Sequence, residues 1–549
     1  MHIRLLITLI FFPVLLKSQS AYVYHLNNDM NLEIENHLSG NNIHTSIKPY
    51  LSNSFSKSDS TSDQSFLNHP EHLLIPGHDD ISRNIEHKKG LYRFVWDNLN
   101  YNMIHLNEDI IRLNVYPVMN LQQGYDTESG SLTFNFDRGF CAEGYLGNKV
   151  FIRSTYTENE GKFPNYLWTF VRDSNVVPGV STVKRLKTKH GFDYSFASAI
   201  ISYSPSKYFN IQFGHDKNFI GDGYRSLLLS DNAAPYPFLK MTTSIGRFQY
   251  VNLWAEFTSM QGGHPLGVGF QRKYGAFHYL STLIGKHCEL GVFEAVIWPN
   301  QVDSVYRGFE LNYLNPIILY HSIQYGLGSP DNSLLGLNGR LNLRHSIRIY
   351  SQLLIDDFDY GRSTNKKGFY RNKYAVQLGV KYFNVLGVPH LYFQTEVNQV
   401  WPYTYAHKLP IENYTSFNQS LAHPLGANFN ESVSFLSYRY KRFFAQYEFQ
   451  YAVIGIDTGV TGNFGHNIFL SDYSIPNFPN SYGNFVGQGN STTIINHQLR
   501  LDYIINPTNN WCVELTLQHR TRNNSLVNQL TNFISIGLKT NLFNQYTDI

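Results

Sequence analysis

Cysteine is nearly absent from this sequence: Cys141, Cys288 and Cys512 are its three, far apart among 549 residues. That spacing counts against a disulfide framework and offers no zinc motif, so each is expected to be a small buried or lipid-facing thiol in a strand. Charge is also thin, with Asp, Glu, Lys and Arg together at 15% and a formal net charge of +3. The longest basic clusters, such as residues 184–189, are short, which leaves nucleic-acid binding without an electrostatic footing. Beyond residues 1–20, no uncharged apolar stretch reaches the roughly 18 to 20 residues that a membrane helix needs.

Catalytic signatures are missing too. There is no G-x-S-x-G elbow, no H-E-x-x-H, no phosphate loop and no dinucleotide fingerprint. The 22 histidines include His69 and His72 in the run HPEH, in a polar leader where a surface role is expected. Asp356, Asp357 and Asp359, followed by Gly361, lack the ligand order of a calcium loop and read as a solvated strand end. The expectation is a non-enzymatic protein with no metal and no cofactor.

Aromatic residues, by contrast, reach 15%, with 39 Tyr and 39 Phe, a balance that suits the girdles of a membrane barrel better than a soluble surface. Residues 1–20 read as a secretory signal, with His2 and Arg4 before an apolar run over 5–16. Residues 21–109 form a polar leader, and its Asn- and Ser-rich part, 21–68, is expected to be extended or disordered because it lacks the apolar residues for a core. A short helix over 91–99 would supply a periplasmic or plug segment.

From 110 to 549 the pattern is that of an all-β, antiparallel transmembrane barrel of about eighteen strands, each with dyad alternation. Ile347, Ile349, Leu353 and Ile355 oppose Arg348, Tyr350, Gln352 and Asp356; Leu499, Leu501 and Tyr503 oppose Gln498, Arg500 and Asp502. Charge opposite a continuous apolar face means lipid outside and a wet lumen inside, with Glu256, Glu396, Glu448, Asp502, Arg348, Lys381 and Arg500 as lumen residues. The last strand, over 533–543, is expected to turn Ile534, Ile536, Leu538, Thr540 and Leu542 outward. Short links such as 441–442 and 506–509 alternate with long ones such as 217–237, 401–431 and 455–492, the signature of periplasmic turns and external loops.

Those long loops combine ring faces with amide, carboxylate and guanidinium groups, the pairing that recognises a sugar. The candidate polysaccharide-binding residues are Asp222, Tyr224, Arg225, Asp231, Asn232, Tyr403, Tyr405, His407 and His423. Interfacial girdles explain such aromatics equally well.

The runs GHDKNFIGDGYRSLLLSDNAAPYPFLK, YTYAH, LAHPLGANFNE and GLKTNLFNQYTD resemble the RemB gliding-motility proteins of the Bacteroidota over most of the mature chain. More distantly, GDGYRSLLLSDNAAPYP and LAHPLGANF are similar to the capsule-assembly Wzi family, outer-membrane barrels that anchor surface polysaccharide. The resemblance implies eighteen strands with a helical periplasmic element, and matches Gly221 to Arg225, Ser230 to Asn232 and Pro235 to the family motif, as a constriction or a binding site. The expected partners are surface polysaccharide, outer-membrane lipid and gliding-machinery proteins. A passive porin or transporter is the alternative, and an outer-membrane hydrolase a weaker one.

Overall fold

The structure, a computed structural model, describes residues 21–39, 41–55, 104–186, 191–261, 269–302, 305–316, 331–344, 346–359, 361, 367–458, 462–473 and 481–549. The signal expected over 1–20, the helix expected over 91–99 and the HPEH run lie outside these residues.

Eighteen antiparallel strands close into one barrel. They are β1 Ile111–Asp126, β2 Ser131–Leu146, β3 Val150–Lys162, β4 Gly191–Ser206, β5 Phe209–Asp216 and β6 Tyr236–Ile245. Next come β7 Phe248–Ser259, β8 Gln271–Ile284, β9 Cys288–Pro299, β10 Asn332–Leu343, β11 Ile347–Asp357 and β12 Lys373–Phe383. The last six are β13 Leu391–Val400, β14 Phe429–Tyr440, β15 Phe443–Ile456, β16 Asn490–Asn506, β17 Trp511–Asn523 and β18 Asn528–Thr540. Each pairs with its neighbours in sequence, and β18 closes on β1 with Leu538 opposite Leu121 and Ile536 opposite Gln123.

Alternation decides which face each residue takes. On β10 and β11, Leu335, Leu337 and Leu341 lie on one side with Ile355, Leu353 and Ile349 opposite them, while Asn338 and Arg340 pair with Gln352 and Tyr350 on the other. The first set is solvent-accessible and the second is buried, which turns an apolar wall outward and a polar wall inward. That wall makes this a membrane barrel of the outer membrane, with its short turns on the periplasmic side and its long loops at the cell surface.

The lumen is filled from both ends. Residues 21–55 are not extended or disordered as their composition implied: they form helix α1 (Asn28–His37), capped by the Asn27 side chain on the Met30 N–H, and a two-residue strand, Ile47–Lys48, paired with Phe219–Ile220. Their burial rests on apolar packing, with Val23, Tyr24, Met30, Ile34, Leu38 and Leu51 joining the main apolar cluster, and on ion pairs, which a hydropathy argument does not register. On α1, Asp29 meets Arg500 at 2.5 Å, Glu33 meets Arg439 at 2.8 Å, and Glu35 meets Arg348 at 2.7 Å and Lys381 at 2.9 Å. Each wall cation expected in a wet lumen is therefore matched by a helix carboxylate.

One sector reverses the pattern. On β7 to β9, Val251, Leu253, Phe257, Phe277 and Phe293 face inward and pack against Leu227, Leu228 and Leu229 of the 217–235 loop, each leucine fully buried. Burying each leucine stabilises the inserted loop by about 1.5–3 kcal/mol. The outer face of the same sector carries Trp254, Trp298 and Tyr313, with the Trp254 indole donating to the Tyr313 carbonyl at 2.8 Å, so the chain around 305–316 covers the wall. Glu256, expected in the lumen, lies on this outer face 3.4 Å from Arg272, because the inserted loop claims the apolar residues of its strand. The end of β18 departs as well: the strand stops at Thr540, and Leu542 turns inward against Tyr116, Val118 and Cys141. Residues 541–549 then run into the lumen.

Candidate functional site

Three inserted segments, the 217–235 loop, the 401–428 loop and the 541–549 tail, meet at Arg225, which is fully buried. Its guanidinium donates to Glu431 on β14 at 3.1 Å and to Asp548 in the tail at 2.6 Å, and lies over the rings of Tyr224 and Tyr546. Its backbone N–H donates to Glu396 on β13 at 3.0 Å. Burial pushes the Asp548 carboxyl upward, although Arg225 pulls against it; for Arg225, the cost of burial is outweighed by Asp548 and Glu431, which hold it firmly charged. Such a hub is a fastening: each group in it already has a partner within the chain.

The same holds for most of the sugar-binding candidates. Asp222 is fully buried and accepts from Thr45 at 2.5 Å, and Asp231 accepts from Tyr546 at 2.7 Å and Asn544 at 2.8 Å. Asn232 donates to the Ser420 carbonyl, Tyr403 to the Asn463 carbonyl and Tyr405 to the Leu227 carbonyl. The Tyr224 hydroxyl faces Asp548 at 3.3 Å, and His423 sits 2.6 Å from Glu431. Burial lowers the His423 pKa, with Glu431 resisting, and burial pushes Lys217 down to about 8, with Asp231 and Asp216 resisting. Residues 221–225 and 230–235 are thus packed inside the barrel, held by partners within the chain. Seven of the nine residues are gathered into the plug; Tyr403 is buried against Phe369 and Tyr370 in the external loops, and His407 lines the external mouth.

At that mouth lies a groove of about 720 Å³ between the ends of β10, β11 and β12 and the loops 401–428 and 457–489. Three rings line it, Phe358, Tyr370 and Tyr473, with Phe358 and Tyr473 about half exposed. Charged heads stand beside them: Lys373 bonds Asp472 at 2.9 Å, Arg371 donates to Asp357 at 2.9 Å, Lys408 lies over the Tyr473 ring, and His407 pairs with Glu412 at 2.7 Å. Flat apolar rings flanked by fixed carboxylates and cations can hold a sugar ring by its face and its hydroxyls. Sequence reasoning named His407 but missed Phe358, Asp472 and Tyr473, since nothing in spacing says that three loops converge.

A second space, about 230 Å³, lies inside the barrel beside the tail. Amides line it, including Asn120, Gln122, Gln498 and Gln518, together with Glu448, Arg500 and Tyr166. One constellation resembles a hydrolytic site: Ser281 Oγ lies 2.8 Å and Glu289 Oε1 3.3 Å from His44. Both address the same nitrogen, Nδ1, whereas a relay needs the hydroxyl on one ring nitrogen and the carboxylate on the other.

An eighteen-strand barrel plugged from within defines an outer-membrane β-barrel protein. No protein-family model matches the chain, and no curated protein matches it. Among solved structures it is similar to Wzi of Escherichia coli, described as an outer-membrane protein involved in group 1 capsule assembly and a carbohydrate-binding β-barrel, with TM-score 0.53, 12% identity, and coverage of 94% of this chain and 98% of that one. OprD of Pseudomonas aeruginosa matches with TM-score 0.41 and 9% identity over 78% of this chain and 95% of its own; OccAB2 of Acinetobacter baumannii matches with 0.43 and 9% over 79% and 99%.

Proposed function

We propose that this protein retains surface polysaccharide at the outer face of the outer membrane, by binding and without catalysis, as part of a capsule, exopolysaccharide or gliding-motility system. The observation that carries this reading is the external groove, where Phe358, Tyr370 and Tyr473 stand beside Asp357, Asp472 and Lys408. The plugged lumen supports it, because the wall cations Arg348, Lys381 and Arg500 are held by α1 carboxylates. The carbohydrate-binding description of Wzi, a barrel of similar architecture, points the same way; the motility setting rests only on the sequence runs that resemble the RemB proteins.

The test is binding of the detergent-folded barrel to the polysaccharide of its own cells. Removing two stacking rings costs about 1–3 kcal/mol, so Phe358→Ala with Tyr473→Ala should weaken saturable binding by about 5- to 150-fold. Unchanged affinity in the folded double variant overturns the groove as the site. A pore is favoured by one feature, the amide-lined luminal space of about 230 Å³, and steady conductance of the intact barrel in a planar bilayer would support that reading instead.

A further inference from the structure

Where the plug enters the wall, three side chains of different chemistry converge. His25 comes from the segment before α1, and Cys141 and Glu143 come from the inward face of β2. All three are buried, and their ligand atoms lie within 4.8 Å of one another. His25 Nε2 is 3.5 Å from Glu143 Oε2, and that carboxylate oxygen accepts no hydrogen bond, although its twin Oε1 takes one from Tyr22 at 3.1 Å and one from Tyr116 at 3.2 Å. The Tyr116 hydroxyl also stands 3.3 Å from His25 Nε2, and the thiol accepts from Thr155 Oγ1 at 3.3 Å. A buried carboxylate oxygen without a donor, aimed at an imidazole and a thiol, is a costly arrangement unless something positive occupies the space between them.

We propose that His25, Cys141 and Glu143 form a divalent-metal site of the zinc class, which fastens the plug to the barrel wall. Imidazole, thiolate and carboxylate are zinc ligands, and ligand distances of about 2.0–2.3 Å put tetrahedral donors about 3.3–3.8 Å apart. The His25–Glu143 pair already has that separation, and the thiol, within 4.8 Å of both, needs a movement of at most about 1 Å to join it. The fourth position falls to the Tyr116 hydroxyl or to water. One thiolate and one carboxylate neutralise a dication, so the filled site carries no net charge into a buried place. The nearest cation, Arg153, is occupied by Asp216 at 3.5 Å and by the Val23 carbonyl at 2.8 Å. Binding displaces the thiol proton to solvent, so affinity rises with pH. Cysteine spacing could not reveal the site, because one ligand lies more than a hundred positions from the other two.

Cobalt is the probe. The purified, folded barrel titrated with Co²⁺ should take up one equivalent and develop a thiolate-to-cobalt charge-transfer band, which Zn²⁺ then abolishes by displacement. Cys141→Ser should lose the band, and His25→Ala should bind the ion at least about 100-fold more weakly, since even partners outside the ligand shell can cost that much. Heat-modifiable gel mobility reports that the variants are folded. Absence of the band in the wild-type barrel at saturating Co²⁺ overturns the proposal, as does a band retained in Cys141→Ser, which would move the metal to Cys288 or Cys512. In the wild type, Zn²⁺ should also slow amide exchange over residues 21–27, and a bound metal that leaves this exchange unchanged refutes the fastening role.

Discussion

Glu35 offers a sharp test of whether the lumen is held closed by charge. Its carboxylate is fully buried and faces Arg348 at 2.7 Å, Lys381 at 2.9 Å and Lys48 at 3.9 Å, while the Tyr50 hydroxyl donates to it at 2.9 Å. Burial by itself would push its pKa up, but Lys381, Arg348 and Lys48 outweigh burial and hold it at about 2, against an ordinary 4.5. A shift of that size corresponds to about 3 kcal/mol of docking stability. Since the folded pKa is depressed, this stability is present above about pH 4.5 and is lost as pH falls toward 2. Glu35→Gln goes further: it leaves Arg348 and Lys381 buried without their anion, a loss of about 3–5 kcal/mol. Amide exchange of α1 (Asn28–His37) in the detergent-folded barrel reads this directly. At neutral pH the variant should exchange about 100-fold faster or more across α1, with the strands unaffected, and the wild type should lose its α1 protection on acidification through the same window. Unchanged α1 exchange in Glu35→Gln would refute the view that ion pairs hold the plug.

Arg225→Met should uncouple the tail from the wall by leaving Glu431 and Asp548 facing each other, at a cost of about 3–5 kcal/mol, seen as raised exchange over residues 541–549. A tag placed in the loop between β15 and β16 should be labelled on intact cells, and one at residues 507–510 should not; the opposite pattern would invert the barrel. Gly368 has φ +70 and its backbone abuts Asn484, with a Cβ there 2.3 Å from the Asn484 carbonyl oxygen, so Gly368→Ala should loosen the loops that frame the external groove and lower polysaccharide binding while the barrel stays folded.

The strands were legible in the residues because a two-faced wall imposes its own period. Leu353 must meet lipid and Gln352 must not, and this constraint repeats at every second residue through β10 to β18. The alternation of short and long connectors likewise follows from the membrane, and the even strand number and the loop sides follow from it, while the count of eighteen comes from the number of alternating segments. Glu256 escaped this logic, since its strand is apolar on the inside as well, where Leu227 to Leu229 fill the barrel. Nor could alternation place the candidate site. Tyr403 and Tyr405 look like ring platforms in a long loop, yet both are buried with positive φ, +67 and +71, and donate to backbone carbonyls.

Local chemistry in the sequence therefore determined the barrel, its strand faces, its membrane and the side on which its loops lie, because each of these follows from solvent on one face and lipid on the other. Tertiary structure alone decided what fills the lumen. A polar leader with Asp29, Glu33 and Glu35 has no reason to be buried until Arg500, Arg439, Arg348 and Lys381 are arranged around it, and those cations stand on four different strands. The external groove and the His25–Cys141–Glu143 cluster arise in the same way, from residues distant in the chain that only the closed barrel brings within reach of one another.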